Sequence, residues 1–250
     1  MDLALNAGNL NKGELSVSEI TAAPEADLKV LEEMLAAGIM YGHKKTKTQP
    51  RFKQYIHTNR NGIEIIDVAM TLSAIDKAAE FLKKQLKENK TVLLVATQPA
   101  AHSVMEELAK KFNLPYVKNR WIGGLLTNFK VISGRLEYFK KIKSEMEKGG
   151  FEKHTKKERV MINRNIHRME GMFSGLEGLT KTPDALFMID TNLKGHTTAL
   201  REAKRIKIPL AALIDSDDDP AAVDYLIPAN DHAKSSIEWI INRIIERLKD

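Results

Sequence analysis

Two stretches of the 250-residue chain hold side chains whose types and spacing could do chemistry. Between His43 and Arg60 stand Lys44, Lys45, Lys47, Arg51, Lys53 and Arg60, with no acid among them. Phe52 and Tyr55 are interleaved. Cations beside aromatics on one loop suit a phosphate backbone and unstacked bases. A solvated loop that merely repels itself is the alternative, and the absence of any acid favours the nucleic-acid reading. The second stretch, residues 120–129, runs Arg-Trp-Ile-Gly-Gly-Leu-Leu-Thr-Asn-Phe. Gly123 and Gly124 allow backbone conformations that a Cβ hinders, and let the chain pass close to another surface. Arg120 and Trp121 precede them, where a guanidinium and a large ring can face outward. A strand–turn–helix corner with Trp121 buried is the blander alternative. Thr127 and Asn128 are candidate caps for the helix that follows.

An α/β fold places its catalytic residues at the carboxyl ends of strands. After the apolar run ending at Ala96 comes Thr97-Gln98-Pro99-Ala100-Ala101 without glycine, so neither a Walker loop nor a dinucleotide fingerprint fits. No Gly-x-Ser-x-Gly elbow occurs, and none of the seven histidines forms a His-x-x-x-His pair. The acids of 215–219 have Pro220 and Leu226 where a calcium loop needs glycine and an acid. A solvated turn is expected there rather than a magnesium site. Asp190-Thr191-Asn192 is either a polar ligand site or the ordinary polar end of a strand. With no cysteine, disulfides, thiolate nucleophiles and thiolate metal sites are excluded. No catalytic residue, metal or cofactor is expected.

A hydrophobic content of 43% with 29% charged residues is that of a chain able to bury a core, and a net charge of +6 is a mild bias toward polyanions. No apolar run approaches the ~18 residues of a membrane span, and no signal peptide is expected at the N-terminus.

The elements that must position these stretches alternate. Residues 1–24 read as a flexible extension. A helix is expected over 26–38, with Gly38 at its end. A hairpin follows across Asn61-Gly62, then a helix over 67–87. Thr91 to Ala96 reads as a strand buried on both sides of a parallel sheet. A helix over 99–112 and a strand over 114–117 lead to the glycine pair. Two amphipathic helices then flank Lys148-Gly149-Gly150-Phe151, the second starting near Thr155 with Glu158 at capping-box spacing. Their exposed faces include Lys130, Arg135, Lys140, Lys141, Arg164 and Arg168. Strands at 185–189, 208–214 and 225–227 alternate with helices over 197–205 and 233–248. The pattern implies a doubly wound α/β sheet, assembled from 25–126 and 173–250, with an antiparallel helical hairpin of 127–172 inserted.

In order along the chain, Ala37-Gly38 to Gly42-His43, Arg60-Asn61-Gly62-Ile63 to Asp67, the decapeptide 120–129, the run ending Phe187-Met188-Ile189-Asp190, Asp215 to Pro220, and Ile227-Pro228-Ala229-Asn230-Asp231 resemble the bacterial small ribosomal subunit protein two family. The decapeptide is the most specific piece. The resemblance implies a flavodoxin-like three-layer α/β domain with a central parallel sheet and a coiled-coil-like inserted hairpin. It implies a cytoplasmic, non-catalytic ribosome constituent that binds small-subunit rRNA and neighbouring proteins where head meets body, and supports recruitment of the large mRNA-binding protein of the subunit. An α/β enzyme or phosphate-ligand binder is the alternative. On this resemblance Lys44, Lys45, Lys47, Arg51, Lys53, Arg60, Arg120, Trp121, Asn128 and Lys130 are expected to contact RNA, mostly its phosphates and riboses. Two departures stand out. The loop after Ala96, basic in bacterial members, carries no lysine or arginine here, and Thr48-Gln49-Pro50 lacks the family's tryptophan.

Overall fold

The computed structural model describes residues 25–148 and 155–249; the expected extension 1–24 and the expected Gly149-Gly150 turn lie outside the described residues. The order is α1 (Glu25–Ala36), β1 (Tyr41–Lys44), β2 (Ile56–Arg60), β3 (Ile63–Ile66), α2 (Val68–Lys87), β4 (Val92–Val95), α3 (Pro99–Phe112), β5 (Tyr116–Val117), α4 (Phe129–Glu147), α5 (Lys156–Phe173), β6 (Ala185–Ile189), α6 (His196–Ile206), β7 (Leu210–Ile214), β8 (Tyr225–Pro228) and α7 (Lys234–Lys249). β1, β3 and β2 form an antiparallel sheet in that order.

The other five strands are parallel, ordered β5-β4-β6-β7-β8. The first of them, β4, lies between the second and third, which is the flavodoxin-like order. β4, β6 and β7 are buried along their whole length, as continuous apolar runs require when both sheet faces are covered. Val92, Leu94, Phe187, Ile189 and Leu213 face one cluster, shared with α1, α2, α3 and α7. Leu93, Val95, Leu186, Met188 and Ile214 face the other, shared with residues 121–126, the bases of α4 and α5, α6 and Phe52.

Local chemistry explains most boundaries. Asp67 caps α2, its carboxylate accepting from Ala69 N at 2.9 Å and Met70 N at 3.3 Å. Asn61 and Gly62 have φ of 51° and 81°, the pair of left-handed residues that a tight hairpin demands. Thr155 and Glu158 form the expected capping box at the start of α5. β1 carries no strand signal in the sequence: four residues, half of them polar, leave no readable alternation. α4 begins at Phe129 rather than 127, and neither expected cap operates, because Thr127 bonds elsewhere and Asn128 makes no side-chain cap bond.

Between β5 and β6 the described residues form two α-helices, α4 and α5, and the short 3-10 turn Ser174–Leu176. The rings of Phe139 and Phe173 lie 6.0 Å apart, and Lys143 pairs with Glu177 at 2.7 Å just beyond α5.

Candidate nucleic-acid interface

The basic stretch occupies the end of β1, two short 3-10 turns (Lys45–Lys47 and Pro50–Tyr55) and β2. Lys44, Lys45, Lys47, Arg51, Lys53 and Arg60 are all exposed. The aromatics behave differently from the expectation. Phe52 is fully buried in the sheet's second cluster and Tyr55 packs on it at 5.3 Å between centroids, so these rings anchor the turn instead of offering stacking faces.

The acidic loop expected to be a solvated turn instead fixes this basic stretch. Asp215, Ser216 and Asp218 are buried. Ser216 Oγ accepts from His43 N at 2.7 Å, and Ser216 O accepts from Gln49 N at 2.8 Å. His43 Nδ1 lies 3.1 Å from Asp215 and 3.4 Å from Asp217. The hydrogen bond to Asp215 raises the His43 pKa against the opposing effect of burial. Exposed Arg51 approaches half-buried Asp219 at 3.5 Å, a contact too long and solvated to hold much. Asp218 turns inward, accepting from Thr191 N at 3.2 Å and Asp215 N at 3.1 Å, and burial pushes its pKa up to about 7.

Residues 120–128 are organised by a residue that sequence inspection did not single out. Glu202, on α6 and 8% exposed, accepts from Gly124 N at 2.8 Å, Leu126 N at 3.1 Å, Thr127 N at 3.3 Å, Trp121 Nε1 at 3.2 Å and Thr127 Oγ1 at 3.3 Å. Burial alone would raise its pKa. The donors outweigh burial and hold the carboxyl below its ordinary range. Gly124 takes φ of 87°, a conformation that favours glycine, as the chain turns around the carboxylate. Trp121 is 4% exposed, which corrects its outward placement: the ring supports the loop from beneath. Arg120, Asn128 and Lys130 are exposed. Phe52 and Trp121 share one apolar cluster, so both stretches hang from the same sheet face. The signal for Glu202 was present in the pattern: it falls on the buried stripe of α6 with His196, Ala199 and Ala203.

At the carboxyl ends of the parallel strands, sequence-distant polar groups converge. His196 joins Thr97 Oγ1 at 3.0 Å to the carbonyl of Asp190, and burial lowers its pKa. Gln98 Nε2 donates to Asp231 O at 2.6 Å. Asp190, Asp231 and His232 each bring one donor atom within 4.8 Å of the others, a set that could hold a small cation and that no sequence spacing revealed. Burial pushes the carboxyls of Asp190 and Asp231 up, and the Asp231 contact raises His232 to about 9. Among the described residues no helix is long and apolar enough to cross a membrane.

Comparison with known proteins bears directly on this arrangement. The family model described as "Ribosomal protein S2" matches residues 34–250. The chain is similar to the small ribosomal subunit protein uS2 of Dictyoglomus thermophilum, 39% identical over 219 residues covering 88% of each chain. It is 41% identical over 203 residues to the protein of that name from Mycobacteroides abscessus, covering 81% of this chain and 73% of the relative. The Petrotoga mobilis protein is 39% identical over 218 residues, covering 87% of this chain and 75% of the relative. The matched span takes in the acidic clamp, the Glu202-centred loop and the whole parallel sheet. The chain therefore belongs to the ribosomal protein S2 family, whose members are structural, non-enzymatic components of the cytoplasmic ribosome.

Proposed function

We propose that the protein is a structural constituent of the small ribosomal subunit that grips rRNA chiefly through phosphates and riboses. The observation that carries this reading is the stretch from Lys44 to Arg60, six exposed cations with no acid of their own, held in place from beneath by Asp215 and Ser216. Arg120, Asn128 and Lys130 extend the contact beyond the Glu202-centred turn, with Trp121 as its support. Contacts of this kind position a protein on RNA without reading sequence.

Residues 127–172 act in this reading as an antiparallel hairpin inserted between 25–126 and 173–250. The support is the Phe139–Phe173 approach and the return of the chain to the same apolar cluster at both Phe129 and Phe173. The site on the ribosome is the junction of head and body, beside other small-subunit proteins, where the protein aids recruitment of the large mRNA-binding protein.

Sedimentation through sucrose at low and high monovalent salt tests the reading. The tagged chain is expected to comigrate with small subunits and whole ribosomes at moderate salt. Reversing Lys44, Lys45 and Lys47 to glutamate should reduce that incorporation about tenfold or more, with a weaker dependence on salt, since each phosphate-bound cation contributes roughly 0.7–0.9 to the logarithmic salt slope. A chain that stays at the top of every gradient would overturn the ribosomal reading. Unchanged incorporation of the triple variant would remove the loop from it.

A further inference from the structure

The exposed face of α6 is a strongly charged surface that the loop contacts do not use. From Lys194 to Lys207 stand Lys194, Arg201, Lys204, Arg205 and Lys207, all exposed. The single acid in that span is Glu202, which is buried and wholly engaged by the 121–127 backbone, indole and hydroxyl donors. None of the five cations forms an ion pair with a described residue. Other helices balance their surfaces: Lys111 pairs with Glu107 on α3, and Lys234 with Glu238 and Arg243 with Glu246 on α7. The one acid lining the groove at the C-terminal end of α6 is Asp224, whose carboxylate already accepts from Leu210 N at 2.9 Å.

Part of this placement works against the helix's own stability. Arg201 and Arg205 are like charges one turn apart, which destabilises a helix. Lys194 sits just before the N-terminal end, where the macrodipole disfavours a cation. Lys204 and Arg205 in the last turn and Lys207 at the C-cap gain from the dipole. Arg201 and Arg205 are separated by about 6 Å along the axis, four residues at roughly 1.5 Å each. The face also adjoins the 120–128 turn. Glu202 ties α6 to that turn, and a Cβ on Gly195 would lie 3.4 Å from the Cβ of Trp121.

We infer that the exposed face of α6 is a second phosphate-contacting surface, through Lys194, Arg201, Lys204, Arg205 and Lys207, continuous with Arg120 and Asn128 and occupied by RNA. It rests on the rRNA-binding reading and extends it to residues outside the loop and the 120–129 stretch. RNA is favoured over an acidic protein because the five cations follow a helix face beside an exposed polar turn, and Ile206 is the single exposed large hydrophobic residue between Lys194 and Lys207.

The test is filter binding of the full chain to protein-free small-subunit rRNA across monovalent salt. Arg201→Gln/Arg205→Gln is expected to lower the logarithmic salt slope by roughly 1.4–1.8, at 0.7–0.9 per cation, and to weaken binding about tenfold or more near 0.1 M salt. Arg201→Lys/Arg205→Lys keeps both charges and should retain the slope, which separates phosphate contact from any loss of folding. If the glutamine variant binds like the parent while the Lys44/Lys45/Lys47 variant is weakened, the α6 surface is wrong and the loop reading survives. If the parent itself does not bind rRNA, the underlying reading fails with it. Normal rRNA binding by the glutamine variant, with loss of a neighbouring protein from its subunits, would assign the face to protein and overturn the inference.

Discussion

Replacing Glu202 by alanine is expected to destabilise the fold by ~3–5 kcal/mol, a large value for one side chain. The carboxylate is the shared acceptor for Gly124 N, Leu126 N, Thr127 N, the Trp121 indole and the Thr127 hydroxyl. A buried donor stripped of its acceptor costs about 1–3 kcal/mol. Leu126 and Trp121 are buried and have no route to water, whereas Thr127 is exposed and recovers part of its loss by hydration. Glu202→Gln should cost nearly as much, because its amide group presents two donors where donors already converge. Urea unfolding reads the effect as a lower midpoint at unchanged slope. A loss under about 1 kcal/mol would mean that the turn does not depend on this carboxylate.

The same contacts give the prediction a pH signature. The folded-state pKa of Glu202 lies below its ordinary value. A depressed acid contributes stability that is present above its unfolded pKa, about 4.3, and is lost as pH falls through the folded value. The stability gap between the parent and Glu202→Gln should therefore be full near neutral pH and narrow on acidification below about pH 4. A gap that widened in acid would have the wrong sign for a hydrogen-bonded carboxylate.

The legible parts of the fold are those set by local rules. Asn61-Gly62, the Thr155–Glu158 box and the apolar runs of β4 and β6 each announce their conformation within a few residues, and the structure has each of them. The exposed cations were equally legible, since long charged side chains stay in water unless paired. What was not legible depends on contacts across the chain. Trp121 looked able to face outward because its acceptor, Glu202, lies 81 residues away. Phe52 and Tyr55 looked like stacking platforms because nothing nearby showed which sheet face they cover. The 215–219 acids looked solvated because His43 and Thr191 lie 172 and 27 residues from their partners Asp215 and Asp218. His43 and His232, scattered in sequence, meet edge-on at 5.0 Å. In each case a polar or aromatic residue has two plausible environments, and a distant partner chooses between them.

Gly175→Ala is expected to cost ~3 kcal/mol, near the upper end of what overpacking usually costs. Gly175 lies in the 3-10 turn Ser174–Leu176, where the chain leaves α5. A Cβ there would stand 2.2 Å from the carbonyl oxygen of Tyr116, and 2.9 and 3.0 Å from two carbons of its ring. The ring could swing away, but the carbonyl cannot, because Tyr116 belongs to β5 and pairs in register with Leu94. The turn must therefore lift off the edge of the sheet, loosening Phe173 and Leu176 from the apolar cluster they share with Val117. Gly178, three residues on, has nothing within 4 Å of its would-be Cβ, so Gly178→Ala should stay within about 0.5 kcal/mol of the parent. For a chain of this size ~3 kcal/mol corresponds to a fall in Tm of roughly 6–12 °C. Equal melting of the two alanine variants would show that the turn does not seat on β5, and would remove the sheet edge as the support that holds α5 in place.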